Sequence, residues 1–519
     1  MLASAAQTHV DRPALRDGAT DMTYAQLEEA AHRFAAALVG SGVEQGDRVA
    51  IWCPNGLPWV VAALGIFSAG AVLVPINTRF KGAEAADLLS RSDARVLVTV
   101  TNFLGTDYVA MLAATGTTLP GLGTTVVAEG PVRGGTMSWD AFAGRATGAS
   151  AAEAARRRSN LGPDDLSDIL FTSGTTGAPK GVLMTHGRTL RVATDWVAMT
   201  GLTAGDPYLM VNPYFHMFGL KAGILACVAA GATMLPEPVF AVERVLARVA
   251  SEQVTVLPGA PTIYQSILEH TDRSHYDLSS LRVGVTGAAD IPVALIRRMQ
   301  TELPFSLIVT GYGLTEAGTA CSTSPGDDAE AIATTVGHPR PGFAIRIVGE
   351  GGLDVEAGQS GEVLLRGASV MAGYLDDPDE TAKVLSTDGW LSTGDLGLLD
   401  DAGRLHIVGR VKDMFIVGGF NAYPAEIENI LLRHPALSQA AVIGIPDARL
   451  GEVGMAFVVA TEDLQPDEII EWSRAQMANY KVPRMVEMVD DLPRNATGKV
   501  VKDTLRERAA ARSRMGSPS

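Results

Sequence analysis

At 519 residues the chain is longer than a single hydrophobic core usually supports, so we expect at least two domains. Hydrophobic residues make up 47% of the chain and charged residues 19%, which excludes an intrinsically disordered protein. The formal net charge of −16 disfavours a nucleic-acid-binding protein, because such a protein needs a broad basic face.

The sequence indicates neither export nor a membrane anchor. Residues 1–10 lack the basic start and apolar core of a signal peptide, and the longest apolar run, Ala222–Leu235, is too short to span a bilayer. The cysteines are too few and too scattered for a disulfide framework or a metal knuckle: Cys53, Cys227 and Cys321. We therefore expect a cytoplasmic protein without stable membrane association.

The N-terminal part alternates helices with apolar strands. Helical periodicity after Thr23 predicts one helix through Leu38, and a second helix is expected over Leu57–Ala69. Continuous apolar strands separated by helices indicate a mostly parallel sheet covered on both faces. The strands predicted in this part are Arg48–Trp52, Ala71–Pro75 and Arg95–Val100.

The middle of the chain continues this pattern after an interruption. Residues 115–155 are rich in Gly, Ala and Thr with weak periodicity, so we interpret them as variable surface connections. Shorter strands and turn signals between Gly337 and Asp400 indicate a small β-rich lobe. Between these regions, strands are predicted at Tyr208–Val211, Ala232–Leu235, Val254–Leu257 and Val283–Thr286.

A separate group of predicted helices and strands begins after Asp413. About a hundred residues follow, with a predicted helix over Pro424–Leu432 and strands over Ala440–Ile445 and Ala456–Val459, which is the size of an independent domain. Residues 511–519 are expected to form a frayed tail. The predicted fold is α/β: a large N-terminal domain of parallel or mixed sheets with a small β-lobe (1–409), a hinge (410–412), and a small mobile α+β domain (413–519).

The first chemical signal is the stretch Asp168–Gly181, DILFTSGTTGAPKG. A loop of small, hydroxylated residues lets backbone N–H groups and hydroxyls converge on an anion. It is not a Walker A motif, because Lys180 is followed by Gly181 rather than by Ser or Thr. The Gly-Tyr-Gly run at 311–313 is not a dinucleotide fingerprint, because Glu316 stands at the third glycine position. The loop therefore indicates a phosphate site of another kind.

Four further motifs follow in a fixed order: Gly311–Glu316 (GYGLTE), Trp390–Asp395 (WLSTGD), Gly409–Asp413 (GRVKD) and Pro493–Lys499 (PRNATGK). With this set the chain resembles, over essentially its whole length, the adenylate-forming superfamily of acyl-CoA synthetases, luciferases and nonribosomal adenylation domains. The resemblance implies an ATP-dependent acid–thiol ligase with ATP, Mg²⁺ and coenzyme A as cofactor and cosubstrates. Such an enzyme forms an acyl-adenylate with release of pyrophosphate and then transfers the acyl group to CoA.

The resemblance also assigns an ATP site, which suits a reaction between two anions that needs charge neutralisation and alignment. It implies Mg²⁺ ligation by Glu316 and Thr175, with Thr315 beside the α-phosphate. Tyr312 is expected to stack on adenine, the alternative being a core tyrosine with a satisfied hydroxyl, and Asp395 and Arg410 are expected to hold the ribose. The other residues implied are Thr172, Ser173, Gly174, Thr175, Thr176, Gly177 and Lys180 for the phosphates, and Gly287, Ala288, Ala289, Gly311 and Gly313 for AMP.

The C-terminal domain is implied to take part in catalysis. Lys499 resembles the lysine that enters the active site for adenylation and bridges the substrate carboxylate and the α-phosphate. The small domain would then alternate between two poses about Lys412, at the hinge position. Gly418, Gly419 and Phe420 would line the path of the pantetheine arm of CoA.

The choice of acid is expected to depend on the stretch Asn212–Gly219 (NPYFHMFG). Amino-acid-activating relatives carry an aspartate where this chain has His216, so an amine-bearing substrate would lack its counter-ion. A buried structural histidine is the alternative. Lys221 is hypothesised to reach a polar group on the acid, with a solvent-facing lysine as the competing interpretation. The predicted acyl pocket comprises Tyr214, Phe215, His216, Gly219, Lys221, Gly287 and Gly337, and His216 is also placed with the catalytic residues.

Three stretches carry a closer resemblance: Phe215–Cys227, Leu257–His270 and Asp277–Arg282. They are similar to actinobacterial acyl-CoA ligases of steroid degradation, especially the indane-propionate type. A hydrophobic alicyclic or steroid-derived acid is therefore expected, with a medium- or long-chain fatty acid also open. The alternatives are an adenylating enzyme that loads a carrier protein, an aryl-CoA ligase of coumarate or benzoate type, and a catalytically silent relative. The oligomeric state is left open, a homodimer being one candidate.

Overall fold

The computed structural model describes residues 1–172, 179–287, 291–417, 420–447, 449–495 and 499–515. It confirms the α/β class, with a large N-terminal domain and a smaller C-terminal domain. Among the described residues, no helix combines the length and the apolar character that crossing a membrane requires. All three cysteines are buried free thiols.

Two large mixed sheets form the N-terminal domain. Both are parallel in their central part, where helices connect successive strands, and antiparallel at one or both edges. In spatial order, the first contains His338–Pro339, Gly318–Ser322, Leu307–Leu314, Val283–Gly287, Val256–Pro258, Pro207–Met210, Thr233–Pro236, Pro13–Asp17 and Thr20–Thr23. The second contains Gly373–Tyr374, Lys180–Thr185, Leu166–Thr172, Val72–Pro75, Arg48–Trp52, Val96–Val100, Thr124–Glu129 and Met137–Ser138.

Two smaller sheets follow along the chain. The first is an antiparallel four-stranded sheet, which confirms the predicted β-lobe; its strands are Phe343–Val348, Gly361–Gly367, Leu391–Leu399 and Leu405–Arg410. The second lies in the C-terminal region and has five strands: Phe420–Ala422, Phe415–Val417, Gly451–Ala460, Leu437–Asp447 and Met485–Met488.

Helices cover the faces of the sheets. The α-helices are Leu2–Thr8, Tyr24–Gly40, Leu57–Ser68, Gly82–Arg91, Tyr108–Ala113, Trp139–Ala143, Gly148–Asn160, His186–Thr200, Met217–Gly219, Ala226–Ala230, Val242–Glu252, Pro261–Glu269, Val293–Glu302, Ala329–Thr334, Pro378–Val384, Pro424–Leu431, Pro466–Gln476 and Lys502–Met515. A π-helix spans Leu220–Leu225, and short 3₁₀ turns span Arg273–His275, Glu350–Gly352 and Val411–Asp413.

The helix Tyr24–Gly40 shows how local sequence sets an element. The Thr23 hydroxyl accepts the Gln26 N–H while the Gln26 side chain accepts the Thr23 N–H, so two donors of the first turn are satisfied reciprocally. The buried face carries Leu27, Phe34 and Leu38 at helical spacing, which holds the helix against the core.

One buried side chain joins the two large sheets near the predicted acyl pocket. Asn55 follows the strand Arg48–Trp52 of the second sheet. Its Nδ2 lies 3.1 Å from the carbonyl oxygen of Met210, the last residue of a strand of the first sheet, and 2.9 Å from that of Asn212 just beyond it. Its Oδ1 accepts the Tyr214 N–H at 2.8 Å. A buried amide that satisfies several backbone groups fixes where the chain 212–219 leaves its sheet.

Two sequence-based expectations are wrong. Residues 115–155 are not merely surface connections. They contain the strand Thr124–Glu129 of the second sheet, and the helix Gly148–Asn160 begins within them. Small residues weaken periodicity there, but Val126 and Val127 still face the core. The expected frayed tail, residues 511–519, begins too early, because residues 511–515 continue the helix Lys502–Met515; residues 516–519 lie outside the described residues.

Candidate active site

The predicted phosphate loop connects two antiparallel strands. Thr172 ends one strand and lies opposite Lys180, which begins the next; the Thr172 hydroxyl is 3.4 Å from the Lys180 carbonyl. Arg91 holds both ends, since its Nη1 donates to Pro179 O at 2.6 Å and its guanidinium lies 5.2 Å from the centre of the Phe171 ring. The loop residues Ser173, Gly174, Thr175, Thr176 and Gly177 lie outside the described residues.

Lys180 is held by groups from another part of the chain. Its Nζ lies 2.5 Å from Glu380 Oε2, on the helix Pro378–Val384, and 5.2 Å from the centre of the Tyr374 ring. The Tyr374 hydroxyl in turn donates to Glu316 Oε1 at 3.0 Å. Tyr374 therefore connects the lysine of the phosphate loop with the glutamate expected to bind Mg²⁺.

Glu316 suits a cation site. It lies with Thr315 in the turn between the strands Leu307–Leu314 and Gly318–Ser322, and burial raises the pKa of its carboxyl. A bound divalent cation would offset that cost by favouring the ionised form, so the residue present fits Mg²⁺. The described residues contain no group of three or more side chains able to hold a metal ion by themselves.

A second cluster gathers around Asp395. Tyr312 donates its hydroxyl to Asp395 Oδ2 at 2.6 Å, and Arg410 Nε lies 2.6 Å from Oδ1. Asp395 and Arg410 are opposite one another in the β-lobe, whereas Tyr312 comes from the first large sheet. Burial raises the pKa of the Tyr312 hydroxyl, with Asp395 adding to the effect, so it remains a donor. Arg410 lowers and Asp395 raises the pKa of Glu316, which lies four positions after Tyr312 in the chain.

The predicted AMP-contact glycines lie where side chains do not fit. Gly287 has φ +155°, and a Cβ there would lie 3.1 Å from the carbonyl oxygen of its strand partner Gly311. Gly313 has no room for a Cβ because the Gly318 backbone faces it. At both positions it is the neighbouring backbone of the protein itself that requires glycine. Ala288 and Ala289 lie outside the described residues.

His216 is a neutral donor in this structure. It precedes the short helix Met217–Gly219, and its Nδ1 accepts the Phe218 N–H at 3.2 Å, so the neutral ring carries its proton on Nε2. Burial lowers the pKa of His216 to about 4. At neutral pH the side chain therefore offers an uncharged N–H and no charge to a substrate.

Two residues of the predicted acyl pocket lie in the protein interior instead. Tyr214 has no exposed surface; its hydroxyl donates to Met210 Sδ and its ring lies 5.4 Å from that of Trp59. Lys221 is also fully buried, and its Nζ lies 2.8 Å from Asp168 Oδ1. Neither interpretation of Lys221 anticipated this: a buried ammonium needs a counter-ion, and the protein supplies one.

The remaining residues of the predicted acyl pocket are Phe215, Gly219 and Gly337. Phe215 is partly exposed, next to His216. Gly219 has no room for a Cβ because of the Pro213 carbonyl, and Gly337, at φ +69°, abuts the Ser322 backbone. These glycines allow the chain to turn closely around the site.

The C-terminal candidates lie on short turns and strands. Lys499 is exposed, and its carbonyl accepts the Asn495 N–H at 2.8 Å. Lys412 lies in the turn Val411–Asp413, and burial lowers the pKa of its ammonium. Phe420 begins the strand Phe420–Ala422, while Gly418 and Gly419 lie outside the described residues.

The site thus combines Lys180 beside the predicted phosphate loop, the buried carboxylate of Glu316, and the cluster of Tyr312, Asp395 and Arg410. This combination suits an adenine nucleotide. Comparison with known families agrees: residues 2–375 match the AMP-binding enzyme family and residues 426–499 match the AMP-binding enzyme C-terminal domain. The chain belongs to the AMP-binding enzyme family. Within it the chain is an acid–thiol ligase of the acyl-CoA synthetase class that uses ATP, Mg²⁺ and CoA.

Two relatives carry the name 3-[(3aS,4S,7aS)-7a-methyl-1,5-dioxo-octahydro-1H-inden-4-yl]propanoyl:CoA ligase. The one from Rhodococcus jostii (strain RHA1) is 49% identical over 516 residues, 98% of this chain and 97% of the relative. The one from Mycobacterium tuberculosis (strain ATCC 25618 / H37Rv) is 51% identical over 491 residues, 93% of each chain. The crystal structure of the anthranilate CoA ligase AuaEII with anthranoyl-AMP superposes with a TM-score of 0.88 at 29% identity, covering 99% of this chain and 97% of that one.

Several contacts at the site escaped the sequence-based reasoning. Tyr374 and Glu380 lie almost two hundred residues beyond Lys180, and Arg91 lies on a helix far before it. Nothing in their spacing signals these contacts. The acidic residues on both sides of Pro378 are a local signal for a helix start, but they do not indicate a contact with Lys180.

The pH dependence of stability tests the environment of His216. Because its folded pKa is below the unfolded value, its contribution is complete above about pH 6.5 and is lost as the pH falls towards 4. The thermal midpoint of the wild type should therefore drop more between pH 7 and 5 than that of His216→Gln. The exposed His275→Gln variant should follow the wild type. Identical pH profiles for wild type and His216→Gln would contradict the lowered pKa.

Glu380→Gln tests the contact with Lys180. Without the competing carboxylate, Lys180 is free for phosphate oxygens, so the KM for ATP should fall about two- to fivefold, the range of a partly exposed ion pair. Initial-rate kinetics at saturating acid and CoA measure it. Asp379→Asn removes the same charge from the exposed neighbouring position and should leave the KM unchanged. A raised KM in Glu380→Gln would instead make Glu380 a support for Lys180.

Proposed function

We propose that this enzyme activates a hydrophobic alicyclic keto acid with a propanoate side chain, of the 7a-methyl-dioxo-octahydroindene type, and converts it to its CoA thioester. The observation that carries the proposal is the match of about half of all residues, over nearly the full length, to two ligases named for that acid. The neutral His216 supports it, because this position offers no counter-ion for an amino acid. We place this reaction in the cytoplasm, where ATP and CoA are available.

In the first half-reaction, a carboxylate oxygen of the acid attacks the α-phosphorus of ATP, and the bond to the pyrophosphate oxygen breaks. Thr172, Lys180 and the loop 173–177 would hold the departing phosphates, and Thr315 would contact the α-phosphate. Glu316, with Thr175, would hold Mg²⁺, which supplies charge neutralisation. Both reactants are anions, so the protein contributes alignment and positive charge rather than a nucleophile.

The cluster of Tyr312, Asp395 and Arg410 would bind the nucleoside. Asp395 can accept both ribose hydroxyls, with Arg410 as the second ribose contact and the Tyr312 ring against adenine. Tyr312 and Arg410 already hold both oxygens of Asp395, so its carboxylate is oriented before the nucleotide arrives. The backbone of Gly287, Ala288, Ala289, Gly311 and Gly313 would line the AMP.

The second half-reaction transfers the acyl group to CoA. The thiol sulfur of CoA attacks the acyl carbon, AMP leaves, and the thiol proton passes to solvent. We propose that the C-terminal domain, residues 413–519, turns about the hinge 410–412 between the two half-reactions. One pose presents Lys499 to the carboxylate and the α-phosphate; the other brings Gly418, Gly419 and Phe420 along the pantetheine path.

A panel of acids tests the substrate. The purified enzyme is assayed with ATP, Mg²⁺ and CoA on the indane-propionate, ferulate and palmitate, with mass-spectrometric detection of thioesters. We expect the highest kcat/KM for the alicyclic keto acid. A preference for ferulate would favour the aryl-CoA alternative, to which a feruloyl-CoA synthase at 37% identity also points. Pyrophosphate exchange without any CoA thioester would favour a carrier protein as acceptor.

Lys499→Ala tests the two poses. Adenylate formation, followed by ATP–pyrophosphate exchange, should fall at least ~10²-fold, as when one charge-stabilising group is removed. Thioester formation from preformed acyl-adenylate should survive. Lys81→Ala, at an exposed helix start, serves as control and should affect neither step. Equal loss in both half-reactions would contradict the alternation of poses.

A further inference from the structure

Lys221 and Asp168 form an ion pair in the interior of the N-terminal domain. Both side chains have no exposed surface, and Lys221 Nζ lies 2.8 Å from Asp168 Oδ1. The other carboxylate oxygen, Oδ2, accepts hydrogen bonds of 2.6 Å from the hydroxyls of Ser167 and Thr189. Four groups from three elements are thus locked into one arrangement: the strand Leu166–Thr172, the helix His186–Thr200 and the π-helix Leu220–Leu225.

Such a pair is a poor way to stabilise a fold. Removing two charges from water costs about as much free energy as their attraction returns, and apolar side chains of similar volume often stabilise a fold as well or better. Burial lowers the pKa of Lys221, while Asp168 acts in the opposite direction. Because the pair contributes little net stability, we explain it by the relative position that it imposes on the segments it joins.

Asp168 and Lys221 lie close in sequence to the two segments whose substrates must meet in the reaction, the phosphate loop and the acid-binding segment 212–219. Asp168 lies on the strand that runs directly into the phosphate loop, four positions before Thr172. Lys221 lies five positions after His216, within a π-helix. Helical segments of this kind are rare and frequently occur at functional sites, because the extra residue per turn redirects the chain. The pair therefore connects the phosphate-loop strand of the second sheet with the acid-binding segment that follows a strand of the first.

We propose that the Lys221–Asp168 ion pair is a positioning device that sets the distance between the acid-binding segment 212–219 and the phosphate loop, and thereby aligns the carboxylate with the α-phosphate. The pair touches neither substrate. It acts through His216 on one side and Thr172 on the other. The inference rests on the proposed adenylation function, but it does not depend on which acid is the substrate.

The alignment predicts which kinetic step responds. A displaced acid still binds, but its carboxylate no longer meets the α-phosphorus in line, and displacements of about 1 Å can cost on the order of 10²-fold in rate. The loss should therefore appear in kcat for adenylate formation, with the KM values for acid and ATP changed less than threefold. Thioester formation from preformed acyl-adenylate, in which the phosphate loop no longer takes part, should be retained.

The test compares Lys221→Met, Asp168→Asn and the double variant with the wild type. Each single variant leaves one buried charge unpaired and should lower the thermal midpoint; the double variant removes both charges and should recover most of it. We expect the double variant to remain at least ~10-fold slower in ATP–pyrophosphate exchange despite its recovered stability. Asp206→Asn/Arg282→Met removes another ion pair of the same domain, 2.6 Å apart, and should leave the exchange rate unchanged.

Thr189→Val provides a milder variant that keeps both charges and the side-chain volume. It removes one hydrogen bond to Asp168 and should slow exchange about two- to fivefold without changing thioester formation. Full exchange activity in the double variant, or equal loss in both half-reactions in any of these variants, would overturn the proposal. A wild type that forms no adenylate with any acid of the panel would instead contradict the proposed function itself.

Discussion

Charge pairing is the physical constraint on which this active site depends. The chain has a net charge of −16, yet its reactants are a triphosphate and a carboxylate. The cations at the site must therefore be local, and in this structure they are held by carboxylates: Lys180 by Glu380, and Arg410 by Asp395. The same solution recurs in the interior, where Lys221 faces Asp168. Each carboxylate holds its cation in one place, and Glu380 in addition competes with phosphate oxygens for Lys180.

The fold makes these pairs possible by joining pieces from distant parts of the chain. Tyr374 and Glu380 follow the β-lobe strand Gly361–Gly367 in the chain, but Tyr374 pairs into the second large sheet beside the strand of Lys180, and Glu380 lies on the next helix. Tyr312 comes from the first large sheet, and its partner Asp395 from the β-lobe. The site therefore forms where both large sheets and the lobe meet. A change that shifts one sheet relative to another would disturb several of these contacts together, which is why the buried connections Asn55 and Lys221–Asp168 deserve mechanistic interest.

The reliability of the sequence-based reasoning differed between kinds of feature. Strongly periodic or continuously apolar segments such as Arg48–Trp52 and Val283–Thr286 were predicted nearly to the residue, because burial on both faces leaves a clear pattern. The strand Thr124–Glu129 was missed, because the Gly-, Ala- and Thr-rich sequence around it hides its short apolar core, Val126 and Val127. Tyr214 and Lys221 were assigned to the acyl pocket from their neighbours in sequence. In the structure both side chains are fully buried by residues that are distant in the chain.

The ordered motifs alone were sufficient to indicate an adenylating ligase, since residue type and spacing carry the chemistry of phosphate, ribose and Mg²⁺ binding. They did not indicate the environment of Lys221, which is fully buried and paired because an unpaired ammonium is too costly in the interior. Which partner it has could not be read from the sequence: Asp168 lies more than fifty positions away, and contacts across sheets follow from packing in three dimensions. The same holds for Glu380 at Lys180 and for Tyr312 at Asp395, where the geometry of the fold selects one carboxylate among many.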